Sequence, residues 1–100
     1  MLRHVVLFTW MPEATEDQKQ AVVAEVRKLP GLIPEVRRFE LGPDMGVNLG
    51  NFNFALVADF DDRDGYVAYR DHPAHRAVID RHITPIVARR AAVQYEVEGR

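Results

Sequence analysis

The order in which strand-like and helix-like segments alternate constrains the fold of this chain more than any other feature of its sequence. Four segments are rich in the β-branched, aromatic and aliphatic residues typical of strands, at residues 3–10, 36–41, 52–60 and 91–97. Apolar residues recur at helical spacing in the segments between them, at residues 15–29, 61–69 and 73–82. The predicted order is therefore β-α-β-β-α-β, with a second helix that is broken before Pro73.

Local signals indicate where the first helix begins and ends. Thr15 precedes it and Gln18 follows three residues later, which is the pattern of a capping box. We expect Pro30 and Gly31 to end this helix. The turn-rich residues 44–51 form the longest irregular segment between predicted strands.

A β-α-β-β-α-β order is typical of the ferredoxin-like fold, in which a four-stranded antiparallel sheet has its helices on one face. The opposite face would then carry apolar side chains, including Val5, Leu7, Ala55 and Val57. Such a face is too apolar for open water, and two-fold dimers are the commonest closed oligomers. We therefore predict a homodimer in which the open sheet faces of two copies pack together and form a barrel.

Composition excludes several classes of protein. The chain has 100 residues, which predicts a single domain over residues 1–100, and its net charge of −2 offers no basic surface for nucleic acid. The absence of cysteine excludes disulfides and thiolate chemistry. The apolar run at residues 5–8 is too short for a signal peptide or a membrane span. We expect a cytoplasmic protein with neither a membrane nor a nucleic acid as its partner.

Side chains capable of chemistry are concentrated between Tyr69 and His75, in the sequence Tyr-Arg-Asp-His-Pro-Ala-His. The ordinary pKa of histidine, about 6.5, lies near neutrality, and a tyrosine hydroxyl can donate to a developing oxyanion. Pro73 fits the first turn of a helix and disfavours helical angles at the residue before it. We therefore predict that His72 caps the last helix, that His75 lies in its first turn, and that Tyr69 ends the preceding helix.

Two stretches together resemble the stress-responsive dimeric α/β-barrel (Dabb) family. They are the sequence Arg-His-Val-Val-Leu-Phe at residues 3–8 and the run from Tyr69 to His75, with its histidine-proline-alanine-histidine core. The resemblance covers essentially the whole chain and includes residues 29–31, 39–42 and 60–62. It implies a ferredoxin-like fold and a homodimer in the form of an α/β barrel.

The resemblance also implies a candidate site. Plant polyketide cyclases of this family close a linear poly-β-keto thioester by an intramolecular aldol reaction, without a cofactor or metal. Their functional residues fall on His4, Tyr69 and His75. A further pocket tyrosine of these cyclases falls on Val26, which removes a hydroxyl and leaves a smaller, more apolar space. Two bulky aromatic residues fall near Ile86, so we expect the far end of the pocket to differ.

Each of these three residues has a catalytic and a structural interpretation. His75 would be the general base, or else a residue that packs or caps a helix. His4 would orient the His75 imidazole or relay its proton, or else bond to backbone at a strand end. Tyr69 would polarise the substrate carbonyl, or else pack in the core with its hydroxyl at the surface. Five further residues are predicted to contact a substrate: Phe8, Val26, Tyr66, His72 and Ile86.

The sequence predicts neither a cofactor nor a metal. It has no phosphate-binding loop and no nucleophile elbow, and His72, His75 and His82 lack the spacing of a known metal motif. Three functions remain open. They are a polyketide-cyclase-like acid/base enzyme with a small apolar or polyketide-like ligand, a non-catalytic stress-responsive or ligand-binding dimer, and a cofactorless monooxygenase or isomerase.

Overall fold

A computed structural model describes residues 1–98 of the chain. The elements follow one another as β1 (Leu2–Trp10), α1 (Glu16–Val26), α2 (Leu29–Leu32), β2 (Arg38–Pro43), β3 (Phe54–Phe60), α3 (Arg63–Asp71), α4 (Pro73–Val78), a π-helical turn (Ile79–Ile83) and β4 (Val87–Glu96). This order confirms the predicted fold class. Within residues 1–98, the helices are too short or too polar to cross a lipid bilayer.

The strands form one antiparallel sheet in the order β2-β3-β1-β4. β1 lies between β3 and β4, and its His4 pairs with Ala58 of β3 and with Gln94 of β4. Paired residues of antiparallel strands project from the same face of a sheet. The side chains of Ala58 and Gln94 therefore lie on the same face as His4.

The helices cover one face of this sheet. The side chains at even positions of β1 and β3 are buried on that face, including Val6, Phe8, Leu56 and Phe60. The core continues into the helical layer through Val22, Val26, Leu29, Ile33, Tyr69, Val78 and Ile83. β4 is an edge strand, and its residues 88–96 are all exposed. One edge of the helix-covered face therefore stays accessible along β4.

The opposite face of the sheet, which we call the open face, carries the apolar residues at odd positions of β1 and β3. These are half-buried in the protomer and are Val5, Leu7, Ala55 and Val57. From β4 the open face carries Val93 and Tyr95, which are 53% and 46% exposed. At one end of the face Arg3 Nε donates to Asp59 Oδ1 over 2.8 Å. The open face is thus an apolar strip that ends in an ion pair.

The first helix is shorter than predicted, although its start is confirmed. Thr15 Oγ1 accepts from the Gln18 N–H over 3.1 Å, and the Thr15 N–H donates to Gln18 Oε1 over 2.9 Å, which completes the capping box. α1 ends at Val26, and Pro30 and Gly31 lie inside the separate turn α2 instead of ending α1. A proline in the first turn of a helix loses no hydrogen bond, so Pro30 starts a new turn there.

All four strands begin at positions other than those predicted, and β1 begins one residue early, at Leu2. β2, β3 and β4 begin at Arg38, Phe54 and Val87 instead of at residues 36, 52 and 91. β4 begins early because its first residue pairs with Trp10 of β1. β2 extends as far as Pro43, which an edge strand tolerates because the missing N–H is not needed there. The ends of a strand depend on the strands with which it pairs. The sequence pattern of a single segment gives no information about those partners.

The break in the second helical region lies before Pro73, as the sequence predicts, but the helix before it ends two residues after Tyr69. α3 ends at Asp71, and His72 has extended backbone angles (φ −62°, ψ 135°) before Pro73 begins α4. His72 Nδ1 accepts from the Ala74 N–H over 3.0 Å, as an N-cap residue does. The chain then continues as the π-helical turn Ile79–Ile83 instead of an α-helix to residue 82. Turns of this kind are frequent at functional sites.

Candidate active site

A cavity of about 350 Å³ lies between the covered face of the sheet and the helical layer, and we call it the inner cavity. Most of its lining is apolar and consists of Val6, Phe8, Val26, Leu29, Leu56, Val78, Ile79, Ile83 and Val87. Its polar lining residues are His4, Tyr66, Tyr69, Arg70, His75, Arg76, Thr84 and Arg90. An apolar chamber with a few convergent polar groups is typical of a site for a small molecule.

His75 carries its lone pair on Nε2. Its Nδ1 lies 3.0 Å from the carbonyl oxygen of Arg70, near the end of α3, where helical carbonyls lack a partner within the helix. A carbonyl oxygen only accepts, so Nδ1–H must donate and the neutral ring is unprotonated at Nε2. Burial lowers the pKa of His75 below its ordinary value, and this effect exceeds the opposing effect of the Arg70 carbonyl; the charges of Arg76 and Arg90 lower the pKa further. His75 is therefore a neutral base near pH 7.

His4 has the opposite tautomer. Its Nδ1 lies 2.8 Å from Nε2 of Gln94, its neighbour across the β1–β4 pair. An amide nitrogen only donates, so His4 Nδ1 accepts and the ring hydrogen is on Nε2. His4 is 4% exposed, and burial lowers its pKa to about 4, with a smaller contribution from the charge of Arg90. The neutral His4 ring is thus a hydrogen-bond donor through Nε2.

Tyr69 lies between the two imidazoles. Its ring centroid is 4.2 Å from that of His75 and 6.4 Å from that of His4. The side chain is 2% exposed, and burial raises the pKa of its hydroxyl above the ordinary value. The hydroxyl therefore keeps its proton at any physiological pH, which makes Tyr69 a donor and never a base.

Tyr66 lies one helical turn before Tyr69 on α3 and packs against the other histidine. Its ring centroid is 4.9 Å from that of His4 and 5.7 Å from that of Phe60. Tyr66 lines the inner cavity and also a wider cleft outside it, of about 590 Å³, which we call the outer cleft. Arg70 lines both spaces as well, so these two residues lie between the inner cavity and the outer cleft.

The structure brings together six of the eight residues predicted for the site. His4, Tyr69 and His75 line the inner cavity together with Phe8, Val26 and Tyr66. His72 and Ile86 do not line it. The ring of His72 is engaged in capping α4. Ile86 is 2% exposed in the core, and its backbone bonds to Ile83 and Met11.

Five polar residues of the site are missing from the sequence prediction: Gln94, Arg70, Arg76, Thr84 and Arg90. Gln94 lies on the more polar parity of the last strand, together with Glu96, so the sequence alone gives no reason to place it facing the helices. Its partnership with His4 follows only from the register of β1 and β4. In the sequence, nothing distinguishes these arginines from other charged residues at the protein surface. Their place in the site is recognised only from the cavity between the sheet and the helices.

Metal-ligand side chains do not converge in the part of the chain that the structure describes. Within residues 1–98, no three residues of the histidine, cysteine, aspartate and glutamate types are placed to share an ion. The two histidines of the inner cavity converge with tyrosines and arginines instead.

Fold and cavity together define a ferredoxin-like α/β protein with a ligand-sized chamber under its helices. The chain belongs to the Stress Responsive A/B Barrel Domain (Dabb) family, whose model matches residues 2–97. This match confirms the family resemblance seen in the sequence.

Solved structures and a curated relative agree with this assignment. A dimeric ferredoxin-like protein of unknown function from Thermobifida fusca is 45% identical, with a TM-score of 0.89 over 96% of this chain and 90% of that one. An uncharacterised Streptomyces coelicolor protein is 32% identical over 79 residues, which are 77% of this chain and 81% of that protein. The hydroxynitrile lyase of Passiflora edulis is 17% identical, with a TM-score of 0.86 over 97% and 93% of the two chains, and shows the fold alone.

The low pKa of His4 predicts a specific dependence of stability on pH. The free energy of unfolding should decrease as the pH falls from about 6.5 towards about 4, because the unfolded chain binds a proton at His4 in that window and the folded protein does not. His75 contributes in the same direction. Denaturation measured at a series of pH values tests this.

The variant His4→Gln serves as the control, because it removes the titrating group while leaving Gln94 a polar neighbour. Its unfolding free energy should decrease less steeply over the same pH range than that of the wild type. Identical slopes for the two proteins would contradict the burial of a neutral His4.

Proposed function

We propose that the inner cavity is the active site of a cofactor-independent acid/base enzyme that resembles polyketide cyclases. One observation carries the proposal: two neutral imidazoles line the same cavity, with the lone pair on Nε2 of His75 and the hydrogen on Nε2 of His4. A base beside a hydrogen-bond donor is what the formation of an enolate requires. The proposed substrate is a poly-β-keto thioester or a related oxo-compound.

In the proposed reaction His75 Nε2 takes a proton from the carbon between two carbonyl groups. The electron pair of the broken C–H bond moves into one carbonyl, and the resulting enolate oxygen accepts from His4 Nε2–H and the Tyr69 hydroxyl. The enolate carbon then bonds to a second carbonyl carbon of the same molecule. The alkoxide formed there takes the proton from His75, so that the ring ends as it began.

The surroundings of the three side chains support these roles. Burial lowers the pKa of both imidazoles, so the base is unprotonated near neutral pH. Burial raises the pKa of Tyr69, so its hydroxyl remains a donor. The Arg70 carbonyl accepts from His75 Nδ1–H in both protonation states, and a hydrogen bond to a charged ring is the stronger one. This carbonyl therefore favours the protonated ring that forms during the reaction.

A non-catalytic ligand-binding role is the second candidate, and the apolar lining of the inner cavity favours it. Val26 brings no hydroxyl to the wall, and most of the remaining wall is aliphatic or aromatic. A lining of this kind binds an apolar metabolite without any reaction. Both candidates require binding, and turnover separates them.

The catalytic proposal predicts that His75→Ala lowers turnover of a linear tetraketide thioester by about a hundredfold or more, because general-base catalysis contributes about that much. Tyr69→Phe should cause a smaller loss, because it removes one of two donors. The rate is followed by the absorbance of the aromatic compound that forms when the cyclic alcohol loses water and its remaining ketones enolise. Circular dichroism checks that each variant is folded.

His82→Ala is the matched control for His75→Ala. His82 lies on the π-helical turn outside the inner cavity, so its replacement should leave turnover close to that of the wild type. Equal rates for His75→Ala and His82→Ala would rule out the proposed base. Tight binding of the thioester with no product from the wild type would favour the ligand-binding role.

We also propose that the open face packs against the same face of a second copy. The Thermobifida fusca relative, which is a dimeric protein, supports this assembly. The apolar strip formed by β1, β3 and β4 supports this face as the contact, because Val93 on the edge strand β4 is 53% exposed in the protomer. Val93 pairs with Val5 of β1, so a second copy would cover both.

The dimer proposal predicts that Val93→Asp gives a protomer in analytical ultracentrifugation where the wild type gives a dimer. A carboxylate within the contact would have to be buried without a partner, which costs several kcal/mol. Leu49→Asp is the matched control, because Leu49 is an apolar residue that is fully exposed in the loop between β2 and β3. A dimeric Val93→Asp variant would place the contact elsewhere.

A further inference from the structure

The mouth of the inner cavity carries an unusual charge distribution. Arg70, Arg76 and Arg90 belong to its lining, which among the described residues 1–98 includes no aspartate or glutamate. The chain as a whole has a net charge of −2. Its average composition therefore does not explain why the charged residues of this lining are all arginines. Cationic groups at the entrance of an apolar chamber attract an anion.

The three arginines come from three different elements that surround the cavity. Arg90 is on β4 and pairs with Phe8, so its side chain lies on the helix-covered face of the sheet. Arg76 is in α4, one residue after the proposed base, and Arg70 is near the end of α3. All three are exposed, whereas the chamber between them is lined by buried aliphatic side chains.

The existing ion pairs leave two of these guanidinium groups for a ligand. Arg70 Nε donates to Asp71 Oδ1 over 2.9 Å, which neutralises its charge locally. The ion pairs found within residues 1–98 do not involve Arg76 or Arg90. An arginine that is not paired can bind a carboxylate through two parallel hydrogen bonds.

The outer cleft has the contrasting composition. Its lining includes the carboxylates of Asp61, Asp62 and Glu96 beside Arg63 and Arg70. Mixed charges of this kind give no preference for an anion. Charged residues of one sign are therefore a feature of the inner cavity and not of the outer cleft.

We infer that the inner cavity selects a ligand with a carboxylate on an apolar body, with Arg76 and Arg90 binding the carboxylate at the mouth and the apolar body inside. This inference rests on the proposed use of the inner cavity as the substrate site. It adds the chemical class of the ligand: among the related oxo-compounds proposed above, an oxo-acid is preferred, and an organic acid binds more tightly than a neutral compound of the same shape.

The experiment compares octanoate with octanamide, which have the same shape and differ in charge, by isothermal titration calorimetry. For the wild type we expect octanoate to bind about tenfold more tightly, because hydrogen bonds to charged groups are stronger than neutral ones. Arg90→Gln and Arg76→Gln should each reduce this ratio, and the double variant should bring it close to unity. Octanamide affinity should stay unchanged, which shows that the variants keep the chamber.

Arg81→Gln is the matched control. Arg81 is an exposed arginine of the π-helical turn that does not line the inner cavity, and its replacement changes the net charge equally. It should leave the octanoate-to-octanamide ratio unchanged. Equal affinities in the wild type, no binding of octanoate, or a preference that survives the double variant would each overturn the inference.

The outcome is independent of the proposed chemistry, because no reaction takes place in this assay. A clear preference for octanoate in a protein without turnover would leave the inference in place and remove the catalytic proposal. Turnover of a thioester in a protein with no preference for octanoate would remove the inference and leave the catalytic proposal in place. His75→Ala should keep the preference, because the acid group is held by arginines and not by the base.

Discussion

The candidate site depends on the register in which β1 pairs with β4. That register places Gln94 beside His4 and Arg90 beside Phe8, on the face of the sheet that the helices cover. A shift by one residue would turn each side chain to the opposite face. The amide of Gln94 then donates to His4 and so determines which ring nitrogen keeps the hydrogen. The register of two strands thus determines which ring nitrogen of His4 carries the hydrogen.

The break before Pro73 supplies the second half of the site. On one continuous α-helix, residues six positions apart would be rotated by about 240° from each other, and the rings of Tyr69 and His75 would face different directions. The extended backbone at His72 interrupts the helix, and the two ring centroids lie 4.2 Å apart. The same break frees the Arg70 carbonyl, which accepts from His75 Nδ1–H and fixes its tautomer. The proline therefore determines both the position and the protonation pattern of the proposed base.

Sequence reasoning predicted the fold because each element carries its own local signal. Thr15 with Gln18, Pro73 after His72, and the apolar parity of β1 can each be recognised within a few residues. Strand ends and the partners of the histidines were not predictable in this way. The start of β4 depends on pairing with β1, and the Gln94–His4 hydrogen bond joins residues that are 90 positions apart. The three arginines at the mouth of the inner cavity were not predicted for the same reason, because they come from three different elements.

The central claim is that two neutral histidines of opposite tautomer line one cavity, and nitrogen-15 NMR of the imidazole rings tests it most directly. Long-range proton–nitrogen correlations at pH 7 distinguish a protonated from an unprotonated ring nitrogen. The structure requires hydrogen on Nε2 of His4 and on Nδ1 of His75, with neither ring charged. The same tautomer in both rings, or a charged imidazolium at either position, would contradict the claim.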